Sequence, residues 1–97
     1  ARTDAVLVYC AGSEARAPFL AELRELAARI AGLRLVPHLL DRDGVFAAAF
    51  LRTHCADAPA RTVRLCGPAG LARAARAALR AVGAGRAPFH TEEFTLL

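Results

Sequence analysis

Short continuous apolar runs alternate along the chain with amphipathic stretches. Ala5 to Tyr9 reads Ala-Val-Leu-Val-Tyr behind polar Arg2, Thr3 and Asp4, the pattern of a strand buried on both faces. Cys10, Ala11, Gly12 and Ser13 then predict a turn. From Pro18 to Ala31, residues Phe19, Leu20, Leu23, Leu26, Ala27 and Ile30 recur at helical spacing. Pro18 stands near the start of that helix, Gly32 lies just past its end, and Glu25 is placed to pair with Arg29.

Leu33 to Leu40 forms a second apolar run. Pro37 inside it offers no ladder donor, which predicts an edge strand or a bulge. Asp41, Arg42, Asp43 and Gly44 predict a turn. Val45 to His54 carries Val45, Phe46, Ala49 and Phe50 at helical spacing, and Ala56 to Ala60, with Pro59, reads as loop. Arg61 to Cys66 predicts a third strand. Gly67, Pro68, Ala69 and Gly70 open a second long helix, with Leu71, Ala74, Ala75, Ala78, Leu79 and Val82 on one face and Gly83 beyond its end. Arg73, Arg76 and Arg80 take the opposite face, which reads as solvated. An extended segment follows from Pro88. Strand, helix, strand, short helix, strand, helix and strand imply an α/β fold, a three-layer parallel sheet with flanking helices.

Composition narrows the picture. Ninety-seven residues with 56% hydrophobic and 23% charged content fit one small globular domain. Much of the apolar content is alanine, so the core rests on few large side chains. The formal charge is +4 and every basic residue is arginine, but these are dispersed and not interleaved with aromatics, which argues against nucleic-acid binding. Cys10, Cys55 and Cys66 are odd in number and lack paired spacing, so neither a disulfide framework nor a zinc knuckle is indicated. His38 and His54 have no partner at metal-ligand spacing, and no metal site is expected. No run reaches the roughly 18 apolar residues of a membrane span; a soluble, cytoplasmic piece is the expectation.

Parallel sheets bind ligands at the carboxyl ends of their strands. That rule selects two stretches, Cys10 to Arg16 after the first strand and Cys66 to Gly70 after the third. In the latter, small residues let a ligand approach the backbone, and the following helix offers unpaired N–H groups and a positive dipole. The plain alternative is an ordinary strand-to-helix turn with Pro68 at the helix start. The tail His90-Thr91-Glu92-Glu93-Phe94 places two carboxylates and an aromatic near the chain end; its plain alternative is a last edge strand with Phe94 plugging the core.

Taken together, Val-Leu-Val-Tyr-Cys before a Ser-containing loop and a helix, then Val-Arg-Leu-Cys-Gly-Pro-Ala-Gly-Leu, then Phe-His-Thr-Glu-Glu-Phe, resemble the C-terminal part of the NAD(P)-binding domain of ferredoxin reductase-like flavoenzymes. The His-x-Glu-x-Phe ending looks most like the branch with membrane ferric reductases and NADPH oxidases. The resemblance runs from Asp4 to Phe94 and implies one partial NAD(P)-binding domain over residues 1–97. By resemblance, Cys66, Gly67 and Pro68 lie beside the nicotinamide, Phe94 adjoins the flavin ring, and Glu92 sits near both, making Cys66 and Glu92 the catalytic pair. Cys10, Ser13 and Arg16 would meet the adenosine ribose or its 2′-phosphate. An arginine fork suits a phosphate where a 2′-hydroxyl reader offers a carboxylate, which favours NADPH over NADH. Relatives commonly carry arginine where this chain has Gly12, so Arg16 would have to reach back.

The resemblance also implies what is not among these residues. Relatives begin the domain with an earlier strand and a glycine-rich loop that cradles the pyrophosphate, preceded by a barrel that binds FAD. In a five-stranded family sheet that first strand lies at the centre, between the strands corresponding to Ala5 to Tyr9 and Arg61 to Cys66. Two outcomes are expected: closure of those two strands onto each other, or a homodimer sharing a sheet edge. In the parent enzyme, an upstream flavin-binding domain would pass electrons from NAD(P)H through FAD to haem in an attached membrane domain, to ferric iron or to another acceptor, with this domain on the cytoplasmic side. The isolated piece is expected to be inactive. The competing class is a non-catalytic α/β interaction module.

One further signature competes. His54-Cys55 with Arg61 matches the His-Cys-x5-Arg spacing of cysteine phosphatases, in which thiolate, backbone amides and arginine surround a phosphate. A helix before Cys55, a strand after Arg61 and Asp57 within the loop argue against it.

Overall fold

A computed structural model describes residues 3–84 and 90–94. The chain is mixed α/β and separates into two compact units, Ala1–Gly44 and Val45–Leu97.

In the first unit, β1 (Ala5–Ala11) leads through a 3-10 turn at Glu14–Arg16 to α1 (Leu20–Arg29), and β2 (Leu33–Leu39) returns parallel to β1. The register sets Ala5 against Leu33, Tyr9 against Pro37 and Cys10 against His38. Pro37 sits within β2, which among the described residues pairs with β1 alone, so its missing donor costs no inner ladder bond. Gly32 makes the return from α1 possible. Its φ is 85°, and a Cβ there would stand 1.8 Å from the Thr3 carbonyl oxygen, while its own carbonyl accepts the Ala5 N–H at 2.9 Å. Ala17, Leu20, Val36, His38 and Leu39 are the buried residues of this unit.

Four expectations for this unit change. None of the seven β1 residues is buried, and Leu7 is 38% exposed, because α1 packs on β2 and a two-stranded ladder covers little of either face. α1 starts two residues after Pro18, since Leu20 first donates to the Ala17 carbonyl at 3.1 Å. Among the described residues, α1 pairs Arg24 with Glu14 rather than Glu25 with Arg29. The predicted turn at Asp41 is a single helical turn, α2 (Leu40–Asp43), closed by Gly44 at φ 72°.

The second unit contains α3 (Ala48–His54), a 3-10 turn at Ala58–Ala60, β3 (Arg64–Pro68), α4 (Ala69–Ala81) and β4 (His90–Phe94), with β3 and β4 parallel. Its core is built from small side chains: Leu51, Cys55, Ala58, Ala72, Ala75, Ala78, Leu79 and Ala84 are buried. Alanines at 72, 75 and 78 let α4 approach α3 and β3 closely. α3 begins three residues later than predicted, leaving Val45 71% exposed; Phe46 and Phe50 pack with ring centroids 5.6 Å apart and Phe50 and His54 with centroids 4.4 Å apart.

β3 is displaced from its predicted span. Arg61 is held in the preceding turn by Asp57, so pairing begins at Arg64 and continues through Gly67 and Pro68 directly into α4. The predicted Cys66–Gly70 turn is therefore strand and helix start. The predicted opening of the last strand at Pro88 lies outside the described residues. Among the described residues the strands form two separate two-stranded ladders, β1 with β2 and β3 with β4.

Candidate functional site

The candidate residues gather at the carboxyl ends of the two ladders, and each group belongs to its own unit. At the end of β1, Cys10 and Ala11 complete the strand and Gly12 turns the chain. The Gly12 carbonyl accepts the Asp41 N–H at 3.0 Å, which ties this loop to α2. Ser13 is extended and its hydroxyl makes no capping hydrogen bond, while its carbonyl accepts the Arg16 N–H at 3.1 Å.

Arg16 is exposed and its side chain runs back along Gly12. Its Cδ lies 3.6 Å from the point where a Cβ on Gly12 would stand. Among the described residues Arg16 makes no ion pair. Glu14 is engaged elsewhere: Arg24 donates to Glu14 Oε1 at 2.8 Å, and that hydrogen bond and charge hold the Glu14 carboxyl below its ordinary range. The loop thus keeps one cation over the glycine with the neighbouring carboxylate already neutralised, a local charge suited to an anionic ligand.

Cys10 brings no nucleophile to this loop. Burial pushes its thiol up to about 11, so it is protonated at neutral pH. Across the ladder, Asp43 accepts the Leu39 N–H at 2.9 Å and both Nε and Nη2 of Arg42 at 3.0 and 2.8 Å, and Arg42 Nη2 also donates to the Pro37 carbonyl at 2.8 Å. These bonds, led by that from Arg42, hold the Asp43 carboxyl down at about 2. Sequence spacing gave no signal for the Arg24–Glu14 pair, because its ten-residue separation spans a turn and a helix.

In the second unit, the parallel register sets Cys66 against Glu92, Gly67 against Glu93 and Pro68 against Phe94. Both strands end at that level, so the backbone brings all five family-implied positions of this group onto one edge of one ladder. Gly67 stands between Cys66 and Pro68 where a ligand could meet main chain without a side chain intervening.

The phosphatase-like stretch has a different arrangement. Cys55 is 7% exposed, its N–H donates to the Leu51 carbonyl at 2.7 Å, and its Sγ donates to Asp57 Oδ1 at 3.5 Å. Arg61 grips the same carboxylate, Nε to Oδ1 and Nη2 to Oδ2, each at 3.1 Å. Asp57 stands between thiol and guanidinium, where a phosphatase would place the substrate phosphate. The network locks the turn into β3 instead. Arg73 and Arg80 are exposed as expected for a solvated face, but Arg76 is half-buried.

Among the described residues no three His, Cys, Asp or Glu side chains cluster to hold a metal ion, and no helix is long and apolar enough to cross a membrane. No family model, curated protein or solved structure matches the chain.

Proposed function

We propose that this chain is the NAD(P)H-binding part of a FAD-dependent oxidoreductase of the ferredoxin reductase-like kind, nearest the ferric reductase and NADPH oxidase branch. The observation that carries the reading is the pairing pattern. A five-stranded parallel sheet with its first strand at the centre, taken without that strand, leaves two parallel pairs; β2 beside β1 and β4 beside β3 are such pairs. The three-layer sheet would form when the central strand is supplied. The register of Pro68 with Phe94 adds support, since nicotinamide and flavin contacts must share one edge.

In this reading the chain positions the nicotinamide against the flavin, and the cofactors supply the redox chemistry. Gly67 and Pro68 lie along the nicotinamide, Cys66 and Glu92 flank the hydride path, and Phe94 covers the flavin. Ser13 and Arg16, beside Cys10, take the ribose and 2′-phosphate of NADPH. FAD is held by an upstream domain, from which electrons pass to haem, ferric iron or another acceptor, with the chain on the cytoplasmic side of any attached membrane domain. A non-catalytic interaction module predicts no nucleotide response at all.

The test is a backbone NMR titration of the chain with NADPH. Half of the pyrophosphate cradle belongs to the central strand, so binding is weak, with Kd on the order of 1 mM or above. Amides of Gly12, Ser13 and Arg16 should shift, and so should those of Cys66 and Gly67, Pro68 having no N–H to report. Silence at both groups up to about 10 mM nucleotide would overturn the proposal, and micromolar binding would overturn the incomplete cradle.

A further inference from the structure

α1 presents more apolar surface than its own unit covers. Leu20 is its one buried residue, and with half-buried Ala27 it marks the direction in which the helix meets β2. Phe19, Leu23, Leu26 and Ile30 recur at spacings of four, three and four residues, the repeat that lines one stripe of a helix. That stripe lies roughly a quarter-turn away from the Leu20–Ala27 line. Phe19 is 59% and Leu26 45% exposed, with Leu23 and Ile30 half-buried between and beyond them. Two large apolar side chains open to water and two more half-covered in the same register mark a surface made to be covered.

The charges beside the stripe select the occupant. Arg24 is turned aside by its 2.8 Å ion pair with Glu14. Glu22 and Arg29, both exposed, border the stripe on the side away from Leu20 and Ala27. When two copies of α1 are laid antiparallel about a two-fold axis, Phe19 meets Ile30 of the second copy and Leu23 meets Leu26. The flanking positions that then face each other carry Glu22 of one copy and Arg29 of the other, twice by symmetry. A parallel arrangement sets Glu22 and Arg29 against the Leu20 and Ala27 flank and pairs neither charge. We infer that α1 is the seam of an antiparallel homodimer of this chain. One three-turn helix per copy buries an area at the low end for specific interfaces, so the dimer is reversible, with Kd on the order of 100 µM.

Sedimentation equilibrium of the whole chain from about 5 µM to 1 mM tests this, that range bracketing the expected Kd. A monomer–dimer equilibrium should appear. Glu22→Arg or Arg29→Glu alone turns both cross-pairs repulsive and should raise Kd about tenfold; the double variant E22R/R29E should return it to within about twofold. L26E should leave a monomer throughout. All these side chains are exposed or border the exposed stripe, and unchanged thermal midpoints by circular dichroism identify variants that keep the fold. A chain monomeric at 1 mM, or a dimer indifferent to the single charge reversals, as a sheet-edge dimer would be, overturns the inference.

Discussion

Arg16 lays its Cδ beside Gly12, 3.6 Å from where that glycine's Cβ would be. An arginine four residues downstream thereby lies against the loop glycine. If it reads a 2′-phosphate, 2′,5′-ADP should bind about tenfold more tightly than 5′-ADP, the worth of one charge-assisted contact. Arg16→Ala should erase that difference while leaving 5′-ADP binding nearly unchanged. Equal weakening toward both nucleotides, followed by NMR titration, would assign Arg16 a merely structural role.

Gly32 and Gly44 both have positive φ, at 85° and 72°, but only Gly32 is crowded. Gly32→Ala forces a Cβ into the Thr3 carbonyl and should cost about 2–4 kcal/mol. Gly44→Ala meets nothing within 4 Å and should cost about 1–3 kcal/mol, the conformational penalty alone. Urea denaturation of the two variants should preserve this order.

Asp43 carries a pH dependence whose sign follows from its bonds. Its carboxyl is held at about 2 in the folded chain against an ordinary 3.8, so the folded state favours the carboxylate. The stabilisation is present above about pH 4 and is lost as pH falls from there through 2. Asp43→Asn should flatten the fall in thermal midpoint over that window, and a carboxyl NMR titration that places Asp43 near 3.8 would contradict the assignment.

The described thiols should be unreactive for different reasons. Cys10 should be alkylated slowly at pH 7, with a rate still rising between pH 9 and 11, because burial holds its thiol up at about 11. Cys55 is buried beside Asp57 and should react only after unfolding. Neither the native chain nor its Cys55→Ser variant should hydrolyse p-nitrophenyl phosphate; thiol-dependent turnover would restore the phosphatase reading.

Helical periodicity placed α1 and α4 within two residues or so, because each has an apolar face and a glycine just past its end. Three strands were legible as apolar runs and the fourth only as an extended tail, and the parallel direction of both ladders followed from the helices between them. What escaped was set by contacts distant in sequence. Nothing local in Arg61 says that Asp57 will hold it out of β3, and Gly67-Pro68 reads as a turn until pairing with β4 draws it into the strand. Likewise β1 has the composition of a doubly covered strand, and no pattern within it reveals that its seven residues stay partly open. For the candidate site, the strand-end rule located both residue groups, while the neutralisation of Glu14 by Arg24 needed coordinates.

Each ladder is stitched within a single strand-helix-strand crossover, so every inter-strand bond of the first forms before residue 40 and every one of the second after residue 63. Neither crossover waits for distant chain to close its own pairing. During synthesis the amino-terminal half can therefore finish its ladder while the other is still being translated, and exposed Gly44, the last residue of the first unit, is the natural place to split the gene and ask whether the halves fold as separate polypeptides.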